Sequence, residues 1–127
     1  ENITGELPEL AINCIRKIRE RDPRKADVVE KYFLEMQMAL KEMARVLKRH
    51  RGMILVIGPS TIRGISIPTH LCLEEIGKKL SLEVVGNVPR CIDRNKRLMP
   101  TRFKVDKRSM IEQRIHEEYV LAFWKGE

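Results

Sequence analysis

Apolar residues recur along the first half of the chain at helical spacing. Leu7, Leu10, Ala11, Cys14, Ile15 and Ile18 fall on one side of a predicted amphipathic helix over residues 6–20. Asp22-Pro23 interrupts it. Asp22 suits an N-cap and Pro23 the first helical position, where no N–H is needed, so a second helix can begin there. Asp27 with Glu30 is a rival start of capping-box type. Val29, Phe33, Met36, Leu40, Met43 and Leu47 then step 4-3-4-3-4, a single apolar stripe. Met36, Met38 and Met43 read as core packing rather than as a soft binding surface. The run Lys48-Arg49-His50-Arg51 complements the negative end of a helix dipole, and Gly52 suits the stop.

The period then changes. Residues 53–57 (Met-Ile-Leu-Val-Ile) show no alternation, as expected of a strand covered on both faces. Gly58, Pro59 and Gly64 mark residues 58–67 as a loop able to turn sharply beside a ligand. Pro68 or Thr69 opens a third helix running to about Leu80, with Leu73, Ile76 and Leu80 as its buried side. Residues 82–88 and 118–124 read as strands, and residues 111–115 suggest at most a short turn or strand entry. A right-handed crossover from the first strand to the second makes those two parallel. The last strand returns antiparallel and can insert between them. The expectation is one α/β domain over residues 1–127, with about three strands and three to four helices. The 58–67 and 90–116 loops would then leave the same edge of the sheet, where open α/β folds bind ligands.

Charge sharpens this picture. The net charge is +7, and residues 90–116 hold nine Lys or Arg against three acids, so six of the seven excess charges lie in one segment. That favours a local polyanion-binding surface over a generally basic coat. Arg90, Arg94, Lys96, Arg97, Arg102, Lys104 and Arg114 are the candidate phosphate contacts; the plainer alternative is a solvated loop. The three cysteines, Cys14, Cys72 and Cys91, are widely spaced and read as reduced thiols of a cytoplasmic protein. No spacing suggests a metal, because His70 and Cys72 alone fall short of the three or four ligands a site needs. No apolar run reaches the length that spans a bilayer, and no signal peptide is visible. Beginning at Glu1 without a starting methionine, the chain reads as a processed or excised piece.

The chain resembles the carboxyl-terminal part of class I S-adenosylmethionine-dependent methyltransferases, and within them the amino-methylating (adenine or cytosine) DNA methylases. The helix–strand part of the resemblance lies in Tyr32-Phe33-Leu34-Glu35-Met36, in residues 39–48 and in Val56-Ile57-Gly58 followed by Ser60-Thr61. Ile92-Asp93-Arg94, Pro100-Thr101-Arg102 and the ending Arg114-Ile115-His116-Glu117-Glu118-Tyr119-Val120-Leu121-Ala122-Phe123 make it more specific. The resemblance implies a partial Rossmann-like sheet, holding the fifth, sixth and seventh of seven strands. It also places Gly58, Ser60, Thr61 and Arg63 at the substrate and cofactor rim; the plainer reading makes them turn-stabilising residues and a solvated Arg.

The family's glycine-rich cofactor turn, and its (Asp/Asn)-Pro-Pro-aromatic motif for a flipped base, have no counterpart here; Asp22-Pro23-Arg24 and Ile67-Pro68-Thr69 do not substitute. The chain alone is therefore expected to bind no S-adenosylmethionine and to contribute no catalytic residue. Glu117, Glu118 and His116 read as strand-entry surface rather than as acid–base groups. Without a fourth strand, residues 53–57 keep an unpaired edge, so a second copy or an upstream half of the fold is expected against it. Two function classes compete. One is the substrate-facing part of a DNA methyltransferase, or within that class an RNA methyltransferase. The other is a non-catalytic nucleic-acid-binding module.

Overall fold

A computed structural model describes residues 7–91 and 117–126 of the 127. The element order is α1 (Glu9–Arg21), α2 (Pro23–Val46), β1 (Arg51–Ile57), β2 (Ser60–Ile62), β3 (Ile65–Ile67), α3 (Thr69–Lys79), β4 (Glu83–Cys91) and β5 (Glu117–Lys125).

Asp22 does begin α2. Its carboxylate accepts the Lys25 N–H at 3.3 Å and Pro23 takes the first turn, so the rival start at Asp27 is not used. The α2 stripe departs from the predicted spacing near its end. Ala26, Val29, Phe33, Leu40 and Ala44 are buried, Met36 is half-buried and Met43 is 37% exposed. The reason is helical drift. A straight α-helix turns back by about 20° per seven residues, so a strict heptad walks off the buried face while the step from Ala26 to Ala44, five full turns, stays on it.

The helix also stops earlier than the basic run implied. It ends at Val46, Leu47 is already extended, His50 takes a left-handed conformation (φ 61°), and Arg51 opens β1 with Gly52 inside the strand. A residue from the far end of the chain completes the terminus. The Lys125 ammonium donates to the carbonyls of Ala44 (2.6 Å) and Leu47 (2.7 Å), groups that a helix end leaves unpaired.

The main sheet has the order β1-β5-β4, so the last strand lies between the other two. Both ladders are antiparallel, and no parallel ladder occurs among the described residues. The pair expected to be parallel, β1 and β4, makes no ladder of its own: β5 intervenes and takes the hydrogen bonds of both neighbours, so the two share a direction only through it. The stretch read as a loop over residues 58–67 contains a correction. It is a hairpin of β2 and β3, closed by Arg63 and Gly64, both at positive φ (52° and 78°), as a two-residue turn of type I′ demands.

α3 packs on β4 and β5, and α1 and α2 pack against α3 and against each other. Phe33, Ile18, Leu73, Ile76, Leu121 and Phe123 are fully buried between them. Gly77 permits the closest approach: a Cβ there would lie 2.2 Å from the Phe123 ring. Just beyond, Ser81 is left-handed (φ 66°), with Ser81 N–H bonded to the Lys78 carbonyl and Leu82 N–H to that of Gly77, the paired bonds of a Schellman stop. Strand β1 is not covered on both sides as expected. Met53 is buried, whereas Ile54 and Val56 are exposed, because no described element lies over the opposite face.

Candidate functional site

The strand register assembles one edge of the sheet. Ile57, the last residue of β1, is opposite Tyr119, and Cys91, the last of β4, is opposite Glu117, the first of β5. Gly58 therefore leaves the sheet at the same edge as the two residues that flank the basic segment. Among the described residues, nothing lies within 4 Å of where a Gly58 side chain would begin. Arg94, Lys96, Arg97, Arg102, Lys104 and Arg114 fall outside the described residues. Arg90 is described: it forms an ion pair with Glu118, its partner across the β4–β5 ladder, so it is not a free cation.

The hairpin separates the other predicted rim residues. Ser60 and Thr61 begin it and are exposed, while Arg63 sits at its tip, about 10 Å further along the strand at ordinary strand rise. There the Arg63 guanidinium bonds the Asp22 carboxylate at 2.8 Å, and Arg21 donates to the Arg63 carbonyl at 2.8 Å. The Arg63 contact holds the Asp22 carboxyl below its ordinary range, helped by the Lys25 N–H. Arg63 thus ties the hairpin to the α1–α2 junction, away from the sheet edge. Ser60 instead joins Val28, Tyr32, Ile67 and Thr69 around a mostly apolar cleft of about 250 Å³ between α2 and the hairpin. Thr69 is buried, and its hydroxyl reaches back to the Ile67 carbonyl at 3.5 Å.

A polar cluster on the helix-covered side of the same edge went unread in the sequence. The His70 ring, in the first turn of α3, stacks on Tyr119 with centroids 3.6 Å apart and planes 1° from parallel. The Tyr119 hydroxyl donates to Glu117 (3.2 Å), and the Asn87 amide donates to Glu74 (3.2 Å). Burial lowers the affinity of His70 for a proton, and the carboxylates of Glu74 and Glu117 oppose that shift. His70 is thereby favoured as a neutral ring near pH 7. Its Nδ1 and the Asn87 Oδ1 are buried without a partner, so the cluster retains hydrogen-bonding capacity. The signal was present as His70 and Glu74 four residues apart on a helix, and as Glu117 and Tyr119 two apart on a strand. What could not be read was that the two elements meet.

Burial raises the Cys72 thiol to about 12 and also raises Cys14, so both are inert; Cys91 is exposed. No group of three or more metal-ligating side chains occurs among the described residues. No helix among them is long and apolar enough to cross a membrane.

Comparison with known proteins agrees with the resemblance seen in the sequence. The chain is 31% identical over 81 residues to the type II methyltransferase M.MvaI of Kocuria varians, a match covering 64% of this chain and 18% of that protein. Its fold matches that of a DNA modification methylase from Thermus thermophilus with a TM-score of 0.58 and 17% identity, over 80% of this chain and 39% of that one. A second structure of that methylase, complexed with S-adenosyl-L-methionine, matches with a TM-score of 0.55 over 77% and 38% of the two chains. No family model matches. The chain is thus similar to a fragment of an S-adenosylmethionine-dependent DNA methyltransferase, and spans about a fifth of the curated relative and two-fifths of the structural one.

Proposed function

We propose that this chain is the substrate-facing part of an S-adenosylmethionine-dependent DNA methyltransferase acting on exocyclic amines of adenine or cytosine. Its three strands stand for the last three of a Rossmann-like methyltransferase sheet. The observation that carries the reading is the strand order. A last strand inserted antiparallel between two strands of common direction, in a chain of methylase-like fold, brings Gly58 and both ends of the basic segment to one edge. The basic segment holds the DNA backbone through charge-assisted contacts, with Arg94, Lys96, Arg97, Arg102, Lys104 and Arg114 as its cations. Gly58, Ser60 and Thr61 form a wall of the site, and Arg63 supports that wall through Asp22. The cofactor turn and the base-gripping motif belong to a part of the fold outside this sequence. The working enzyme is in this reading an intracellular protein that takes S-adenosylmethionine there.

A second reading is favoured by the missing motifs together with the clustered charge: a module that binds nucleic acid without modifying it. RNA in place of DNA would suit the same surface.

Fluorescence anisotropy with a labelled DNA duplex tests the binding claim. Binding should weaken steeply with salt, with a log–log slope set by the number of phosphates neutralised. Replacing Arg94, Arg97 and Arg102 together by Gln should reduce that slope by about 2 to 3, at roughly one phosphate per cation. A slope unchanged by the triple substitution would remove the segment from the interface. Calorimetry of the chain with S-adenosylmethionine should show no heat, and micromolar binding would contradict the division of labour proposed here. Tighter binding to duplex RNA than to duplex DNA would favour the RNA reading.

A further inference from the structure

The run Lys48-Arg49-His50-Arg51 has no part in the site described above, and the role expected for it is filled by another residue. A helix dipole would account for its charge. α2 stops at Val46, however, and the Lys125 ammonium already bonds the carbonyls of Ala44 and Leu47. All four side chains of the run are exposed. Lys48 and Arg49 join no ion pair among the described residues, and Arg51 donates to the His50 carbonyl at 2.9 Å. Other surface cations are spent on acids: Arg19 on Asp27 and Glu30, Lys78 on Glu75.

The backbone gathers these charges and holds them still. Lys48, Arg49 and Arg51 lie within four consecutive residues, no more than about 11 Å from end to end. His50, in the turn, takes φ 61°, a conformation unusual for a residue other than Gly or Asn, and its N–H bonds the Lys125 carbonyl at 2.7 Å. Arg51 is opposite Lys125 at the start of the β1–β5 ladder. The turn is therefore fastened to the sheet. Of the acids on adjoining elements, Glu42 is held by Arg45 at 2.8 Å, and Glu83 lies across β5, opposite Trp124. From the turn to Ile57, at the edge that carries the basic segment, is about 20 Å along β1. The two basic regions are separate surfaces.

We infer that the turn at residues 48–51 is a second nucleic-acid surface, holding the phosphate backbone of duplex DNA through Lys48, Arg49 and Arg51 independently of residues 90–116. The inference takes from the proposed function only that the partner is DNA. B-DNA carries one negative charge per about 1.7 Å of its axis, so a cluster of this size meets several phosphates at once. Such contacts position a duplex and read no sequence. An anionic bilayer fits less well, because the turn has no aliphatic side chain to enter it.

The test uses the full 127-residue chain labelled with nitrogen-15, with Arg94, Arg97 and Arg102 replaced by Gln to weaken the basic segment. A short DNA duplex of arbitrary sequence is added. The expected result is that the amide resonances of residues 48–52 shift as duplex is added and return when salt is raised. In fluorescence anisotropy, further replacing Lys48, Arg49 and Arg51 by Gln should lower the log–log salt slope by about 2 to 3 and weaken binding at least about tenfold at low salt. If Arg51→Gln disturbs β1, as circular dichroism would show, Lys48→Gln with Arg49→Gln carries the test, with a slope lower by about 2. The control Lys17→Gln, Lys31→Gln and Lys41→Gln removes the same charge from exposed positions on α1 and α2 and should leave affinity and slope nearly unchanged. No shift at residues 48–52, while the unaltered chain still binds the duplex, overturns this surface and leaves the functional reading standing. An equal loss in the control, or tighter binding to phosphatidylserine vesicles than to the duplex, overturns it as well. If the unaltered chain binds no duplex, both fail.

Discussion

The inner and outer faces of the sheet are built from the same strands and from nearly the same residue types, yet one is a core and the other is wet. On β5, Leu121 and Phe123 are buried while their neighbour Trp124 is 37% exposed; on β1, Met53 is buried while Ile54 and Val56 are not. Composition does not make the difference. The inner face has α3 laid over it, backed by α1 and α2, and the outer face has nothing among the described residues. A β-strand sends alternate side chains to opposite sides, so its stabilisation depends on what each side meets.

That contrast can be broken most directly on the inner face. Leu121→Ala should lower stability by about 2–5 kcal/mol, the range for emptying a fully buried aliphatic site, seen as a lower denaturant midpoint at constant slope. A loss below about 1 kcal/mol would mean the inner face is loosely packed and the contrast false. Gly77→Ala forces a methyl into the Phe123 ring and should cost about 1–3 kcal/mol, measured by the same titration. If Gly77→Ala instead stabilised the protein, as it would in an open helix position, α3 would not lie against β5 as described.

Acid offers a gentler probe of the inner face at its rim. Burial depresses the His70 pKa from about 6.5, so the unfolded chain binds the proton more readily than the folded one. Stability should be fully present above the unfolded value and should fall as the pH drops through about 6.5 toward the lower folded value. His70→Gln should flatten that part of a melting-temperature profile, and an unchanged profile would place the titration elsewhere. The smallest effect is expected on the outer face. Val56→Thr should shift stability by no more than about 0.5 kcal/mol in the isolated chain, because the side chain is already in water. A loss comparable with that of Leu121→Ala would show that something covers this face after all.

Much of the architecture was legible. The third helix and one of the two candidate starts of α2 were, because local spacing and capping determine them, while the insertion of the last strand was implied by the methyltransferase resemblance. Three features were not. Ala44 replaces Met43 in the core because a straight helix drifts against a heptad, which a list of apolar positions hides. The hairpin was masked by its composition: Arg63 adopts positive φ although it is neither Gly nor Asn, and its tie to Asp22 holds it there. The His70–Tyr119 stack joins residues that are far apart in sequence, and no local pattern brings them together.

The sequence by itself determined where the three helices and the three strands of the main sheet lie, and where the positive charge is concentrated. It determined this because backbone periodicity, capping and net charge are local or additive properties of the chain. Tertiary structure alone decided which face of an apolar strand is core, that Arg63 clamps a hairpin instead of waiting at the rim, and that Arg90 is spent on Glu118. Those outcomes depend on which distant group arrives within a few ångströms. That is a property of packing and is absent from any short stretch of sequence.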